Sequence, residues 1–240
     1  MILTDKDTVL FSGDSITEGN RGLKMDCNHI FGHGYQYIVA GELSLKYCAE
    51  RPKFINKAYS GYTMPRLLET WKEDVLDNNP TVLSILDGVN DGMWGFQNNI
   101  SSDEANRIYE EALIKAITLT REKVPDVKII ICEPFYFPLD NSDPSYRFTP
   151  HPDCESDFKR PDTDESRESM DYRFETVQGT RKSAKKVAEK YGCTFVPLYD
   201  KFTEQFENTK REYFIWDGTH PTIAGHMLIA KEWLKVFEVI

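Results

Sequence analysis

Short apolar runs recur along this chain, separated by longer stretches whose apolar residues return at helical spacing. The runs predict strands at 8–12, 53–56, 82–87, 128–133 and 194–197. Several are continuously apolar rather than alternating, the pattern of strands covered on both faces. The longer stretches predict helices at 35–47, 65–76, 102–123, 167–191 and 222–237. Strand–helix alternation implies an α/β fold, a parallel sheet of about five strands with helices on both faces. Residues 138–170 interrupt the alternation. They are rich in Asp, Ser, Pro and Arg, with Tyr146, Phe148 and Phe158 interspersed. Loops of about 30 residues are uncommon inside compact domains. The segment is therefore read either as a lid or binding loop, or as a decorative or oligomer-contact insertion.

In such sheets ligands bind beyond the carboxyl ends of the strands. Four polar stretches fall near that edge. Ser15 follows the first strand in FSGDSITEG, and NKAYSG follows the second. DGVND follows the third, and DGTHP precedes the last helix.

A serine hydroxyl is a weak nucleophile without a base. Asp217 and His220 stand three positions apart. On one turn, side chains so spaced can face the same way. The carboxylate would then hold one ring nitrogen and leave the other free for the Ser15 proton. An ester carbonyl also gains negative charge under attack and needs fixed N–H donors. Gly61 can bring its backbone close to a ligand, Asn90 carries a side-chain amide, and Ser15 has its own N–H. Each feature alone also reads as a turn residue or a cap.

Together, GDSITEG, NKAYSG, GVND and DGTHP resemble the blocks of the SGNH, or GDSL-like, hydrolase superfamily, over nearly the whole chain. The resemblance implies a three-layer α/β/α sandwich with a flavodoxin-like sheet, spanning 1–240 as one domain. It implies a serine esterase with Ser15, Asp217 and His220 as catalytic residues. Ser15, Gly61 and Asn90 would form the oxyanion hole. Further stretches, such as EPFYFP and WDGTHPTIAGHMLIAKEWL, are similar to a branch of carbohydrate esterases that includes acetylxylan esterases. The implied substrate is a short acyl, O-acetyl ester of a small molecule or oligosaccharide. Tyr62, Trp94 and Trp216 offer flat surface for a sugar ring. A lysophospholipase- or thioesterase-type acyl hydrolase of the same fold is the alternative.

Composition narrows the partners. With 29 Lys and Arg against 39 Asp and Glu, the net charge of −10 disfavours nucleic acid. No apolar run approaches the ~20 residues of a membrane span. The N-terminus shows no signal-peptide pattern, and five scattered cysteines suggest no disulfide framework. A cytoplasmic setting is the simplest expectation, and a homo-oligomer is left open. No metal and no cofactor are expected: Cys27, His29 and His33 are poorly spaced as ligands. His226, six residues after His220, is read as a packing side chain of the last helix. Two rivals come from other classes. LDGVND is similar to the acidic loop of Mg²⁺-dependent phosphatases, although Asp14-Ser15-Ile16-Thr17 lacks their second aspartate. A non-catalytic carbohydrate-binding protein would turn over no ester.

Overall fold

A computed structural model describes residues 2–22, 26, 29–138, 147–148, 158–159 and 166–237. β1 (Thr8–Gly13) leads through the short α1 (Ser15–Glu18) to α2 (Tyr35–Lys46) and β2 (Lys53–Asn56). α3 (Met64–Glu69) and α4 (Trp71–Asp74) precede β3 (Val82–Leu86), α5 (Val89–Gln97), α6 (Ser102–Lys123) and β4 (Lys128–Cys132). β5 (Arg147–Phe148) and β6 (Phe158–Lys159) pair antiparallel. α7 (Arg167–Lys190), β7 (Thr194–Val196), α8 (Tyr199–Phe206) and α9 (Ile223–Lys235) complete the described chain. The main sheet has five parallel strands in the order β2-β1-β3-β4-β7, the flavodoxin-like arrangement.

Alternate residues of each buried strand feed opposite layers. Val9, Phe11, Val82, Ile130 and Cys132 pack with Tyr35, Val39 and Leu43 of α2 and Trp233 of α9. Leu10, Leu83, Ile85, Ile129 and Ile131 pack with Met64, Trp71, Leu113, Ile117 and Val187 from α3, α4, α6 and α7. The result is the three-layer α/β/α sandwich. The two buried indoles each find a hydroxyl: Trp233 donates to Ser84 Oγ at 2.9 Å and Trp71 to Thr120 Oγ1 at 3.0 Å.

Several elements differ from the sequence expectation, and α8 (Tyr199–Phe206) does not figure in it. The helix expected at 65–76 is broken at Thr70, which leaves helical geometry between α3 and α4. The break lets Trp71 turn inward to its bond with Thr120. The strand expected at 82–87 ends at Leu86, because Gly88 turns the chain at φ +123°. The GVND stretch then opens α5 rather than a loop. Gly92 and Gly95 lower its helix propensity and hide it in the sequence. Their reason is packing. A Cβ at Gly92 would stand 3.1 Å from the Arg173 side chain, and one at Gly95 would stand 2.5 Å from the Tyr172 hydroxyl, both on α7. Of the insertion expected at 138–170, residues 139–146, 149–157 and 160–165 lie outside the described residues.

At the β4 end, Glu133 is buried and joins three elements. Oε2 accepts the N–H groups of Leu198 and Tyr199 at the start of α8, at 2.8 and 2.9 Å. Oε1 accepts from Arg181 Nε of α7 at 2.9 Å. Glu133→Ala would remove the buried partner of the Arg181 cation and leave the two N–H donors of Leu198 and Tyr199 unpaired. We expect a loss of about 3 kcal/mol in urea denaturation; a change below about 0.5 kcal/mol would deny Glu133 this role.

Candidate active site

The site starts where β1 ends. Gly13 and Leu86 are register partners, and a Cβ on Gly13 would lie 2.1 Å from the Leu86 carbonyl oxygen. Only glycine lets the two strand ends come so close. Asp14 then caps α1, its Oδ1 accepting the Ile16 N–H at 2.9 Å. Ser15 is the first residue of that helix, so its own N–H has no intrahelical acceptor.

Asp217 and His220 reach Ser15 from the segment before α9. The expected single helical turn is not what holds them. Gly218 turns the chain at φ +88°, and Asp217 Oδ1 accepts the N–H groups of Thr219 and His220 at 2.9 and 2.6 Å. Asp217 Oδ2 lies 2.5 Å from His220 Nδ1, and His220 Nε2 lies 2.8 Å from Ser15 Oγ. A carboxylate can only accept, so Nδ1 carries the proton and Nε2 presents its lone pair to the Ser15 hydroxyl. Burial pushes the His220 pKa down, but the hydrogen bond and charge of Asp217, with the charge of Asp14, outweigh it. The net shift is upward. Burial likewise opposes the Asp217 charge, and His220 with the two backbone N–H groups overcomes it, leaving the carboxyl below its ordinary value.

The Gly61 turn is tied to the same strand end. Tyr59 N–H donates to the Gly13 carbonyl at 2.9 Å, and Gly61 turns the chain at φ +75°. Among the described residues the N–H groups of Ser15 and Gly61 have no acceptor. Asn90, in the first turn of α5, donates one amide proton to the Tyr62 carbonyl at 3.0 Å. That bond fixes the amide plane and leaves a second proton.

A cavity of about 630 Å³ opens beside Ser15 and His220. Trp216, Ile38, Pro221 and Ile223 supply apolar wall, and Glu18, His33 and His226 supply polar groups. Trp216 stacks on His220 with ring centroids 6.0 Å apart. Of the three aromatic residues considered for a sugar ring, only Trp216 lines this cavity. Tyr62 stacks between Tyr59, at 4.9 Å, and the Arg66 guanidinium, at 4.1 Å. Trp94 stands half-exposed on α5.

Residues 11–228 match the model of the GDSL-like lipase/acylhydrolase family. The chain belongs to that family. An acetylxylan esterase of Geobacillus stearothermophilus is 29% identical over 235 residues, covering 95% of this chain and 93% of the relative. A solved structure from Parabacteroides merdae, titled as a GDSL-like lipase, superposes with a TM-score of 0.77 at 29% identity, covering 99% of this chain and 98% of that one. The solved acetylxylan esterase Axe2 of G. stearothermophilus gives 0.73 at 26% identity, covering 98% and 95%. Structures of Axe2 include catalytic mutants at an aspartate, a serine and a histidine. This GDSL-family chain is a carboxylic ester hydrolase.

Beneath the GDSL-family blocks lies a cluster that sequence reasoning missed. Asp14, Asp87 and Asp91 are all buried. Burial pushes Asp14 up to about 6, against the pull of the Ile16 N–H, His220 and Arg173. Burial, with the charge of Asp14, pushes Asp91 up to about 7 despite bonds to backbone N–H groups. Asp87 is pushed well above the carboxylate range by burial and by its two acidic neighbours. Both Asp87 oxygens lack a hydrogen-bond partner among the described residues. From α7 the buried Arg173 donates to Thr219 Oγ1 at 2.9 Å, bracing the segment between Asp217 and His220. Its three members stand in the stretches GDSITEG and DGVND, where nothing in the local pattern shows that they are buried together. Among the described residues no group of three or more His, Cys, Asp and Glu is arranged to hold a metal ion, and Cys27 lies outside them.

These shifts are measurable. The His220 ring should titrate above its ordinary value of 6.5 in NMR. Asp217→Asn removes the charge that raises it, so the midpoint should fall. An unchanged midpoint would mean that Asp217 does not govern the ring.

Proposed function

We propose that this esterase removes O-acetyl groups from carbohydrates through a serine acyl-enzyme. Ser15 is the nucleophile, His220 the base, and Asp217 the group that orients the base. The observation that carries this reading is the continuous chain Ser15 Oγ–His220–Asp217, with spacings of 2.8 and 2.5 Å, at the edge of the cavity. Ser15 Oγ attacks the ester carbonyl carbon while its proton passes to His220 Nε2. Asp217 stabilises the imidazolium so formed. The oxyanion is held by the Ser15 and Gly61 N–H groups and the free Asn90 amide proton. Collapse breaks the bond to the alcohol oxygen, which takes the proton from His220. Water then attacks the acyl carbon through the same base and regenerates Ser15.

The carbohydrate reading is supported by the likeness to acetylxylan esterases and by the indole face of Trp216 beside His220. The chemistry needs no metal or cofactor. We read the whole chain as one domain with the polar insertion at 138–170. The partner would be a small or oligomeric acyl ester rather than nucleic acid, given the net charge of −10. No helix among the described residues is long and apolar enough to cross a membrane. The free thiols of Cys48, Cys132 and Cys193 suit a reducing, cytoplasmic setting.

Ser15→Ala should abolish hydrolysis of acetylated xylo-oligosaccharides with the fold intact by circular dichroism. Asn90→Ala should lower kcat by roughly 10²–10³-fold with a smaller change in KM, because its bond strengthens as charge develops. His220 must be neutral to accept the proton, and its pKa is raised. Activity should therefore climb with pH through a midpoint above 6.5 and then level off, unaffected by EDTA. Near-normal turnover by the Ser15 variant would sink the mechanism. A preference for long acyl chains across an ester series would favour the lysophospholipase or thioesterase alternative. Turnover of phosphate esters that EDTA abolishes would favour the phosphatase.

A further inference from the structure

His226 lies on the first turn of α9, its own N–H bonded to the Thr222 carbonyl at 2.8 Å. Its ring takes no part in the proton transfers above, yet it lines the same cavity as Ser15 and His220. The backbone N–H of Tyr35 donates to His226 Nδ1 at 3.1 Å. Tyr35 opens α2, so this N–H is one of the donors a helix start leaves unpaired. A ring nitrogen that accepts a hydrogen bond carries no proton. The neutral ring must therefore hold its proton on Nε2. Nε2 makes no hydrogen bond among the described residues and is not sealed in the core.

The geometry points to His226 as a specificity-determining donor for the leaving alcohol, in a cavity that takes a polyhydroxylated leaving group. This rests on the esterase mechanism proposed above. His220 returns its proton to the departing oxygen, so the alcohol must sit on the His220 side of Ser15. The cavity lies on that side, bounded by His220 and Trp216, and neither Gly61 nor Asn90 lines it. Its apolar wall suits the carbon face of a sugar ring, and the ring's oxygens need donors. His226 Nε2–H is such a donor, and its lone pair is turned away toward Tyr35. It is thus no second base. Protonation would set Nδ1–H against the Tyr35 N–H. Burial, with the charges of His33 and His220, pushes its pKa down to about 3, so the donor persists across the working range. An alcohol without a second oxygen leaves this N–H unpaired, a defect to which polar sites are sensitive.

The test compares kcat/KM on acetylated xylobiose with kcat/KM on phenyl acetate, whose leaving group offers no further oxygen. His226→Leu should lower the ratio of the two by about 10–100-fold. His226→Gln should hold it within about 3-fold, because its amide oxygen can accept from Tyr35 while its nitrogen donates. A leucine variant with the wild-type ratio would overturn the inference. So would leucine and glutamine variants that depress both esters alike, which marks a structural role only. In the unmodified protein, ¹⁵N NMR should find His226 as the Nε2–H tautomer from about pH 5 to 8, with a shift on adding xylobiose. A ring that titrates in that range, or ignores the sugar, also overturns it. Failure of the wild-type protein to cleave either ester would strike the mechanism beneath instead.

Discussion

The close approach of β1 and β3 sets the position of everything that follows. The two strands run parallel and end together, Gly13 against Leu86, with no side chain between them. Ser15 leaves one strand end and Asn90 leaves the other. The Gly13 carbonyl also holds the Tyr59 N–H, which brings the Gly61 turn to the same edge. Three groups far apart in sequence thus depend on one backbone contact. Side chains there would push the strand ends apart and dissolve the arrangement.

The Asp217–His220 segment is braced from a different direction. It is neither helix nor strand, and a single antiparallel bridge, Ile215 with Pro221, closes it, the Trp216 N–H donating to the His220 carbonyl at 3.1 Å. Asp217 Oδ1 satisfies two of its N–H groups, the Gly218 carbonyl accepts the Phe137 N–H at 2.9 Å, and Arg173 reaches Thr219 from α7. The same carboxylate therefore shapes the loop with one oxygen and orients His220 with the other. Arg173 brings positive charge toward a region where Asp14, Asp87 and Asp91 are buried together. Three buried carboxyls in low dielectric cannot all ionise cheaply. Their upward shifts express that cost, and Asp14 is the one whose charge reaches His220.

The two sides of Ser15 differ in kind. Toward Gly61 and Asn90 lie fixed donors around a turn whose aromatic residues are already engaged with each other and with Arg66. Toward His220 lie the cavity, the Trp216 face and the neutral imidazole of His226. In the proposed reaction the first side would hold the oxyanion and the second the departing alcohol.

The order of strands and helices, and the four chemical blocks at the strand ends, were legible in the sequence. Buried parallel strands must be apolar on both faces, and acyl chemistry needs particular residue types. Ser15, Asp217, His220, Gly61 and Asn90 were all named on that basis. The sequence says less where one residue type serves two purposes. Gly92 and Gly95 lower helix propensity, yet they let α5 lie against α7. Tyr62 and Trp94 read as sugar platforms, and they are not among the residues lining the cavity beside Ser15. The Asp-x-x-His pair read as a helical turn, yet a loop turned at Gly218 holds it. These outcomes hang on which distant group meets each side chain: Tyr35 for His226, Tyr59 and Arg66 for Tyr62, and the loop's own N–H groups for Asp217. Local pattern encodes an element and its buried face. Contacts between elements exist only once the layers close, and those contacts chose the tautomer, the side of the cavity and the free donors.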